Sequence, residues 1–235
     1  MGSKTRIQKL IDQNEVLRPY QEAVLPNRSP SRRFLDLSCG TRPDIKEVVE
    51  GLGHVWVGVD QIDRPGIVKA NVHYLPFASG TFDVVFSAAT FEHYYNPWQV
   101  ALEVNRVLKP DGFFVGLIAF LQPWHGDSYY HFTHLGTKQM LLVAGFEVLD
   151  IRAGNSHGVQ YLIEQMFPRP PLLGKVLAGY GRALAAVRRF AFPTMIRMLD
   201  IHNNKMKERR MQFLHDDDLR FAASIIFLSR KASGT

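Results

Sequence analysis

The stretch FLDLSCGTRP at residues 34–43 decides the fold that this sequence predicts. Three of its first four side chains are apolar, which is typical of a buried strand. Ser38 and Gly40 are small at the point where the backbone must turn sharply and admit a ligand. Pro43 suits the first turn of a helix, and apolar residues at helical spacing follow it. The stretch therefore predicts a strand, a tight turn and a helix in immediate succession.

A second predicted strand, residues 54–60, ends in the acid Asp60. This order of elements is the layout of a nucleoside-binding βαβ unit: a strand, a turn of small residues, a helix and a second strand. In such units the second strand ends in an acid about 20 residues after the turn. The carboxylate of Asp60 can accept hydrogen bonds from both ribose hydroxyls. The turn has neither the G-x-G-x-x-G dinucleotide fingerprint nor the G-x-x-x-x-G-K-[ST] phosphate loop, which argues against a dinucleotide or a nucleoside triphosphate.

The composition is that of a globular protein in a reducing compartment. The chain has 235 residues, of which 46% are hydrophobic, and this is enough for one packed α/β domain. Its single cysteine, Cys39, excludes an internal disulfide. The sequence opens with no secretory leader and contains no apolar run of the ~20 residues that span a membrane. These features predict a cytoplasmic protein.

The predicted core alternates strands and helices over residues 31–152 and 222–235, which is typical of a parallel α/β sheet. Its predicted strands are 33–38, 54–60, 67–71, 82–88, 113–120, 146–152 and 223–229. Residues 1–30 precede the core, and an amphipathic helix is predicted over 4–24. This helix either packs on the domain edge or forms a flap over the ligand.

Residues 153–221 form an insertion before the last strand and predict a helical cap. Between 175 and 210 the insertion carries nine basic residues against two acidic ones, while the whole chain has a net charge of +6. A solvated cap is one interpretation; a lid on the acceptor pocket, a dimer interface and a basic surface on anionic lipid are the others. Sparse aromatic interleaving and the lack of an RNA-binding motif argue against nucleic acid as a partner.

Several later blocks resemble, in order and spacing, those of class I S-adenosylmethionine-dependent methyltransferases of the small-molecule, type 11-like kind. The blocks are Leu75-Pro76-Phe77, GTFDVVFS at 80–87, Glu92-His93, RVLKPDG at 106–112 and AGFEV at 144–148. The first turn is similar to the family motif D-x-G-x-G-x-G. Asp36 matches its acid and Gly40 its middle glycine, whereas Ser38 and Arg42 stand in place of glycines. The resemblance implies a Rossmann-like, doubly wound seven-stranded sheet whose last strand is antiparallel.

The resemblance also implies S-adenosyl-L-methionine as the cofactor and assigns its binding residues. The turn should wrap the methionine moiety, Asp60 should hold the ribose hydroxyls, and Ala88 should border the reactive sulfonium. Asn71 should accept a bond from the adenine amino group, Val72 should offer its backbone N–H to the ring, and Ile62 should lie against the adenine face. The full expected set is Asp36, Ser38, Gly40, Asp60, Gln61, Ile62, Asn71, Val72 and Ala88.

Three histidines are candidates for a general base. His93 follows the fourth strand, and His125 and His131 lie in a loop after the fifth strand that is rich in aromatic and histidine residues. The ordinary histidine pKa of ~6.5 suits this role. The expected substrate-binding residues are Trp124, Tyr129, Tyr130 and Tyr161, whereas Trp98 is expected to serve packing.

A metal site is an alternative for the same loop. His125, Asp127, His131 and His134 offer suitable ligand types. Their spacing does not follow a metal-binding motif, so the main interpretation includes no metal.

These features together predict a methyltransferase that methylates an oxygen of a small-molecule or glycan-like acceptor. N-methylation stays open, because a neutral amine needs no general base. A cofactor-binding pseudoenzyme or scaffold protein stays open as well, because Ser38 and Arg42 depart from the family's glycines. A homodimer and contact with a membrane surface are further alternatives for the partners of this chain.

Overall fold

The computed structural model describes residues 5–26, 30–41, 43–122, 126–154, 176, 179, 183, 219 and 222–233. The elements are, in chain order, α1 (Arg6–Gln13), a 3-10 turn (Arg18–Tyr20), α2 (Gln21–Val24), β1 (Arg33–Leu37), α3 (Asp44–Gly51), β2 (Val55–Asp60), β3 (Ile67–Lys69), β4 (Phe82–Ala88), a second 3-10 turn (Phe91–His93), α4 (Pro97–Val107), β5 (Leu108–Ala119), α5 (His134–Val143), β6 (Phe146–Ala153) and β7 (Ser224–Lys231).

The seven strands form one sheet in the order β3-β2-β1-β4-β5-β7-β6. The pairs β1–β2, β2–β3, β1–β4 and β4–β5 are parallel, and β7 pairs antiparallel with both β5 and β6. The predicted α/β fold, a Rossmann-like sheet with an antiparallel last strand, is confirmed. The strand order reverses between β1 and β4, and ligands of open α/β sheets bind at such a switch point, outside the carboxyl ends of the strands.

The central strands are apolar on both faces because helices or other segments cover both faces of the sheet. In β1, Phe34 is fully buried on one face, where its ring lies 5.9 Å from that of Phe86, and Leu35 is fully buried in the core on the other face. This explains why the sequence shows a continuous apolar run at β1 and β4 instead of an alternating one.

Local sequence signals mark the limits of the helices α3 and α4. The side chain of Asn96 accepts a hydrogen bond from the N–H of Gln99 and so caps α4, whose first residue is Pro97. Gly53 follows α3 with a φ of +84°, a left-handed conformation that ends a helix at little cost for glycine. Because α3 follows β1 and α4 follows the parallel strand β4, both helices start on the carboxyl side of the sheet.

The N-terminal segment differs from the predicted continuous helix over 4–24. The side chain of Asn14 accepts hydrogen bonds from the N–H groups of Val16 and Leu17, which turns the chain after α1, and Pro19 lies in the 3-10 turn that follows. The buried residues of this segment pack on one face of the sheet and are Ile11, Val16, Leu17, Tyr20, Val24 and Leu25. Local hydrogen bonding by an asparagine side chain competes with helix continuation.

Most of the insertion at 153–221 lies outside the described residues. Within the described part of the chain, no helix has both the length and the apolar character that crossing a membrane requires.

Candidate functional site

The turn after β1 and the acid that ends β2 meet at the carboxyl edge of the sheet. Gly40 has a φ of +60°, and its backbone N–H donates to Asp60 Oδ2 at 2.9 Å. The backbone N–H of Ile62 donates to Asp60 Oδ1 at 3.0 Å. A carboxylate offers about four acceptor positions, so these two bonds leave acceptors for a ligand. A Cβ placed on Gly40 would meet no atom within 4 Å, so the outer side of the turn is open.

Asp36 is buried under this turn and accepts a hydrogen bond from Trp56 Nε1 at 3.3 Å. The neighbouring Cys39 is also buried, and burial, with the nearby carboxylates of Asp36 and Asp60, raises the pKa of its thiol to about 11. The thiol is therefore protonated at neutral pH and acts as a small apolar side chain.

Ser38 adopts a left-handed φ of +53°, the region that favours glycine. Its Oγ lies 2.7 Å from the Oη of Tyr94, which is 4% exposed. Burial raises the pKa of Tyr94, so the phenol stays neutral and able to donate a hydrogen bond. The hydroxyl of Ser38 thus ties the turn after β1 to the loop after β4. Sequence reasoning missed this tie, since no local pattern pairs residues so far apart in the chain.

Asn71 follows β3 and is held by His73. Asn71 Oδ1 accepts from the backbone N–H of His73 at 3.0 Å and lies 2.8 Å from its Nδ1. A backbone N–H only donates, so the atom that it meets is the amide oxygen, and Nδ1 must then carry its proton. The N–H of Asn96 lies 3.4 Å from the Nε2 of His73, which accepts. His73 is therefore a neutral imidazole, and its burial accordingly lowers its pKa.

This arrangement changes what Asn71 can offer to a base. The two lone pairs of its carbonyl oxygen already accept from His73, whereas this oxygen was predicted to accept from an adenine amino group. The exposed amide NH₂ group is what remains available to a ligand.

The remaining expected cofactor residues also lie at this edge. Ile62 and Gln61 are exposed after β2, while the side chain of Val72 is buried in the core. Ala88 ends β4, and Ala89 after it turns the chain with a φ of +54°. Strained left-handed residues other than glycine cluster at functional sites.

The loops after β4 and β5 meet on the other side of the switch point. The backbone carbonyl of Glu92 accepts from the N–H groups of Tyr129 at 2.7 Å and Tyr130 at 3.2 Å. His93 is exposed on the first of these loops and His131 on the second, where its Nε2 lies 3.0 Å from the hydroxyl of Ser128. Two of the three candidate bases therefore lie on adjoining segments.

The other predicted residues of the acceptor side lie outside the described residues: Trp124, His125 and Tyr161. Of the alternative metal ligands, Asp127, His131 and His134 are described. The described residues contain no group of three or more histidine, cysteine, aspartate or glutamate side chains placed to hold a metal ion.

Comparisons with known proteins identify the core. Residues 35–116 match the family model of a methyltransferase domain. An uncharacterized methyltransferase of Mycobacterium tuberculosis is 36% identical over 91 residues, covering 38% of this chain and 34% of the relative. An uncharacterized protein of Methanocaldococcus jannaschii is 28% identical over 132 residues, covering 51% of this chain and 52% of the relative. The chain thus spans about half or less of the length of these curated relatives.

Solved structures share the fold of this chain. The [4+2]-cyclase SpnF aligns with a TM-score of 0.58 at 17% identity, covering 96% of this chain and 81% of that one. The 1,6-didemethyltoxoflavin-N1-methyltransferase of Burkholderia thailandensis, solved with 1,6-didemethyltoxoflavin and S-adenosylhomocysteine bound, aligns with a TM-score of 0.54 at 14% identity, covering 96% and 82%. Residues 35–116 thus resemble a methyltransferase domain, and the solved structures show that the chain shares the fold of such a domain.

Proposed function

We propose that this chain transfers the methyl group of S-adenosylmethionine to a hydroxyl oxygen of a small-molecule or glycan-like acceptor. The observation that carries the proposal is the contact of Asp60 with the turn after β1. It places a carboxylate with spare acceptors beside an open turn of small residues, and these features fit a ribose and the methionine chain that continues from it.

The cofactor, when bound, supplies a methyl group already activated by its positive sulfur. The protein then mainly positions the acceptor oxygen in line with this methyl, and positioning can contribute ~7–11 kcal/mol. The turn at Ser38 and Gly40 holds the methionine end, Asp60 orients the ribose, and the amide of Asn71 faces the base. Ala88 and Ala89 border the side from which the acceptor approaches.

A hydroxyl acceptor must lose its proton as its oxygen attacks. His93 and His131 are the described candidates to take it, and a general base contributes about 10²- to 10⁴-fold in rate. If either serves, its change to Gln lowers turnover by about this factor and leaves the affinity for S-adenosylhomocysteine unchanged. Normal rates in both variants favour an amine acceptor, the alternative that requires no base.

The cofactor site is tested by isothermal titration with S-adenosylhomocysteine. Asp60→Ala removes charge-assisted hydrogen bonds of about 1.5–3 kcal/mol, so the dissociation constant rises about tenfold to a hundredfold. Asp63→Ala is the matched control. Asp63 is an exposed acid that follows the same strand, and its carboxylate lies 3.6 Å from the ammonium group of Lys69. An equal affinity in the wild type and Asp60→Ala refutes the ribose assignment. Binding without turnover on any acceptor supports a pseudoenzyme.

A further inference from the structure

A ring stack stands beside the cofactor side of the site. The ring of Tyr95 lies 4.0 Å from that of His73 at an interplanar angle of 17°. Tyr95 is 55% exposed, whereas His73 is buried and held through both ring nitrogens by Asn71 and Asn96. One face of Tyr95 therefore rests on a fixed support, and the other face is open to a ligand.

Two further rings continue this surface. The hydroxyl of Tyr130 donates to the backbone carbonyl of Tyr95 at 3.2 Å. The ring of Trp98, which is 40% exposed, meets that of Tyr130 edge to face at 5.5 Å. Tyr130 thus contacts both the backbone of Tyr95 and the ring of Trp98, and we call Tyr95, Trp98 and Tyr130 the aromatic platform. Trp98 was predicted to serve packing and contacts the ring of Phe132, while its exposed part is accessible to a ligand.

The aromatic platform lies on the same loops as residues of the proposed cofactor site and the candidate bases. Tyr94, next to Tyr95 in the chain, is bonded to Ser38 in the turn after β1. His93 precedes Tyr94 on the same loop, and His131 follows Tyr130. The loops that carry the platform therefore also carry the contact with the turn after β1 and the candidate bases.

The charge of the loops that carry the platform favours a neutral ligand over an anionic one. Residues 70–105 and 110–137 supply the loops after β3, β4 and β5, and they contain no lysine and no arginine. Carboxylate and phosphate ligands are held by such cations, preferably by arginine. The exposed histidines of these segments, His93 and His131, can bind hydroxyls in their neutral form.

We propose, building on the function proposed above, that the acceptor is a neutral sugar whose ring stacks on the aromatic platform. The apolar C–H face of a pyranose covers the exposed rings, while its hydroxyl groups face away from them. A planar apolar ligand would leave the polar side chains beside the platform unpaired. One sugar hydroxyl forms the new O–CH₃ bond as the S–CH₃ bond breaks, its proton passes to the imidazole of His93 or His131, and the sulfur leaves as a neutral thioether.

The test uses the full chain saturated with S-adenosylhomocysteine, whose own binding is measured first by titration. Methyl glycosides of glucose, galactose, mannose, rhamnose and N-acetylglucosamine are then screened by saturation-transfer NMR. Glucuronate, galacturonate and glucose 6-phosphate serve as anionic probes, and p-cresol as a planar one. At least one neutral glycoside binds, and the anionic probes and p-cresol bind more weakly.

Variants connect the binding to the rings. Tyr95→Leu and Trp98→Leu keep bulk but remove an aromatic face, and each raises the dissociation constant of the bound glycoside about three- to tenfold. Tyr95→Phe and Trp98→Phe keep a face and retain most of the affinity. Leu142→Ala, at an exposed apolar position on α5, is the matched control and changes nothing.

Two kinds of result overturn the proposal. One is that no neutral glycoside binds, or that an anionic probe or p-cresol binds more tightly. The other is that the leucine variants bind the glycoside as the wild type does. Failure of S-adenosylhomocysteine to bind refutes instead the function on which the proposal rests, so the two failures are distinguishable.

Discussion

At the scale of single residues, Ser38 shows how a departure from a glycine motif is compensated. A left-handed φ costs a residue with a side chain about 1–2 kcal/mol relative to glycine. Here the side chain offsets that cost with a hydrogen bond to the buried hydroxyl of Tyr94 at 2.7 Å. We therefore interpret Ser38 as a residue that stabilises the turn through its side chain, and not as a glycine lost without compensation.

Two substitutions of Ser38 separate the strain from the hydrogen bond. Ser38→Ala keeps the strain and removes the bond, so the free energy of unfolding falls by about 1 kcal/mol. Ser38→Gly removes both, and its effect is close to zero because the two terms oppose each other. Urea denaturation measures both values. In a Tyr94→Phe background the cost of Ser38→Ala should largely vanish, and equal costs in both backgrounds would contradict the coupling.

His73 makes the stability of the fold depend on pH. Burial lowers its folded-state pKa, so below the unfolded-state value of ~6.5 the unfolded chain binds a proton that the folded chain does not. The stability that it contributes is full above this pH and is lost as the pH falls below it. The groups that face its ring are Asn71, Tyr94, Tyr95 and Asn96, none of them acidic at these pH values.

The prediction is that the melting temperature falls less between about pH 7.5 and pH 5 in His73→Gln than in the wild type. His54, whose pKa burial also lowers, should act in the same direction, so the double variant with His54→Gln has the smallest fall. An identical pH dependence in the wild type and His73→Gln would exclude a buried neutral His73.

At the scale of elements, the N-terminal segment packs against one face of the sheet, as a covering helix would. Leu17 is fully buried there, in the same core as Phe34 and Val84. The hydroxyl of Tyr20 donates to Asp150 Oδ2 at 2.8 Å and so connects the segment to β6. These contacts support a packing role for the segment.

A cavity variant distinguishes packing from a flap over the cofactor. Leu17→Ala should lower the free energy of unfolding by about 2–5 kcal/mol and leave the affinity for S-adenosylhomocysteine unchanged, because the lost contacts lie on the sheet face. Gln13→Ala, at an exposed position of α1, is the control and should affect neither measurement. A large loss of affinity with little loss of stability would favour the flap.

At the scale of the whole molecule, the chain leaves and re-enters the core at one place. Ala153 pairs with Ile225, and the N–H of Gly154 donates to the carbonyl of Ser224 at 2.9 Å. Leu219 and Ala222 pack beside Ile225. The two ends of the insertion are thus joined by the sheet itself, so a short link between β6 and β7 can replace it.

We propose that the segment at 153–221 caps the acceptor side, and its replacement tests this. Exchanging residues 155–218 for a short Gly/Ser link should preserve the cooperative unfolding transition and the binding of S-adenosylhomocysteine while abolishing methyl transfer to the acceptor. Titration, melting curves and a methyl-transfer assay give the three results. Full activity with loss of dimerisation or of liposome binding would identify the segment as an interface instead.

The sequence by itself determined the sheet, its strand limits within five residues and the acid at the end of β2. These features follow from local patterns, because a parallel strand covered on both faces must be apolar throughout and a tight turn needs small residues. The residues that end strands were also predictable as a group, since the carboxyl ends of parallel strands share one edge.

Only the tertiary structure decided which of these residues support one another. The bonds of Ser38 to Tyr94 and of His73 to Asn96, and the stack of His73 under Tyr95, join loops that follow different strands. The end of α1 at Asn14 likewise depends on one side chain bonding to its own backbone. Hydrophobic periodicity reports which face of an element is buried, whereas such contacts depend on loop conformations that only the packed sheet brings together.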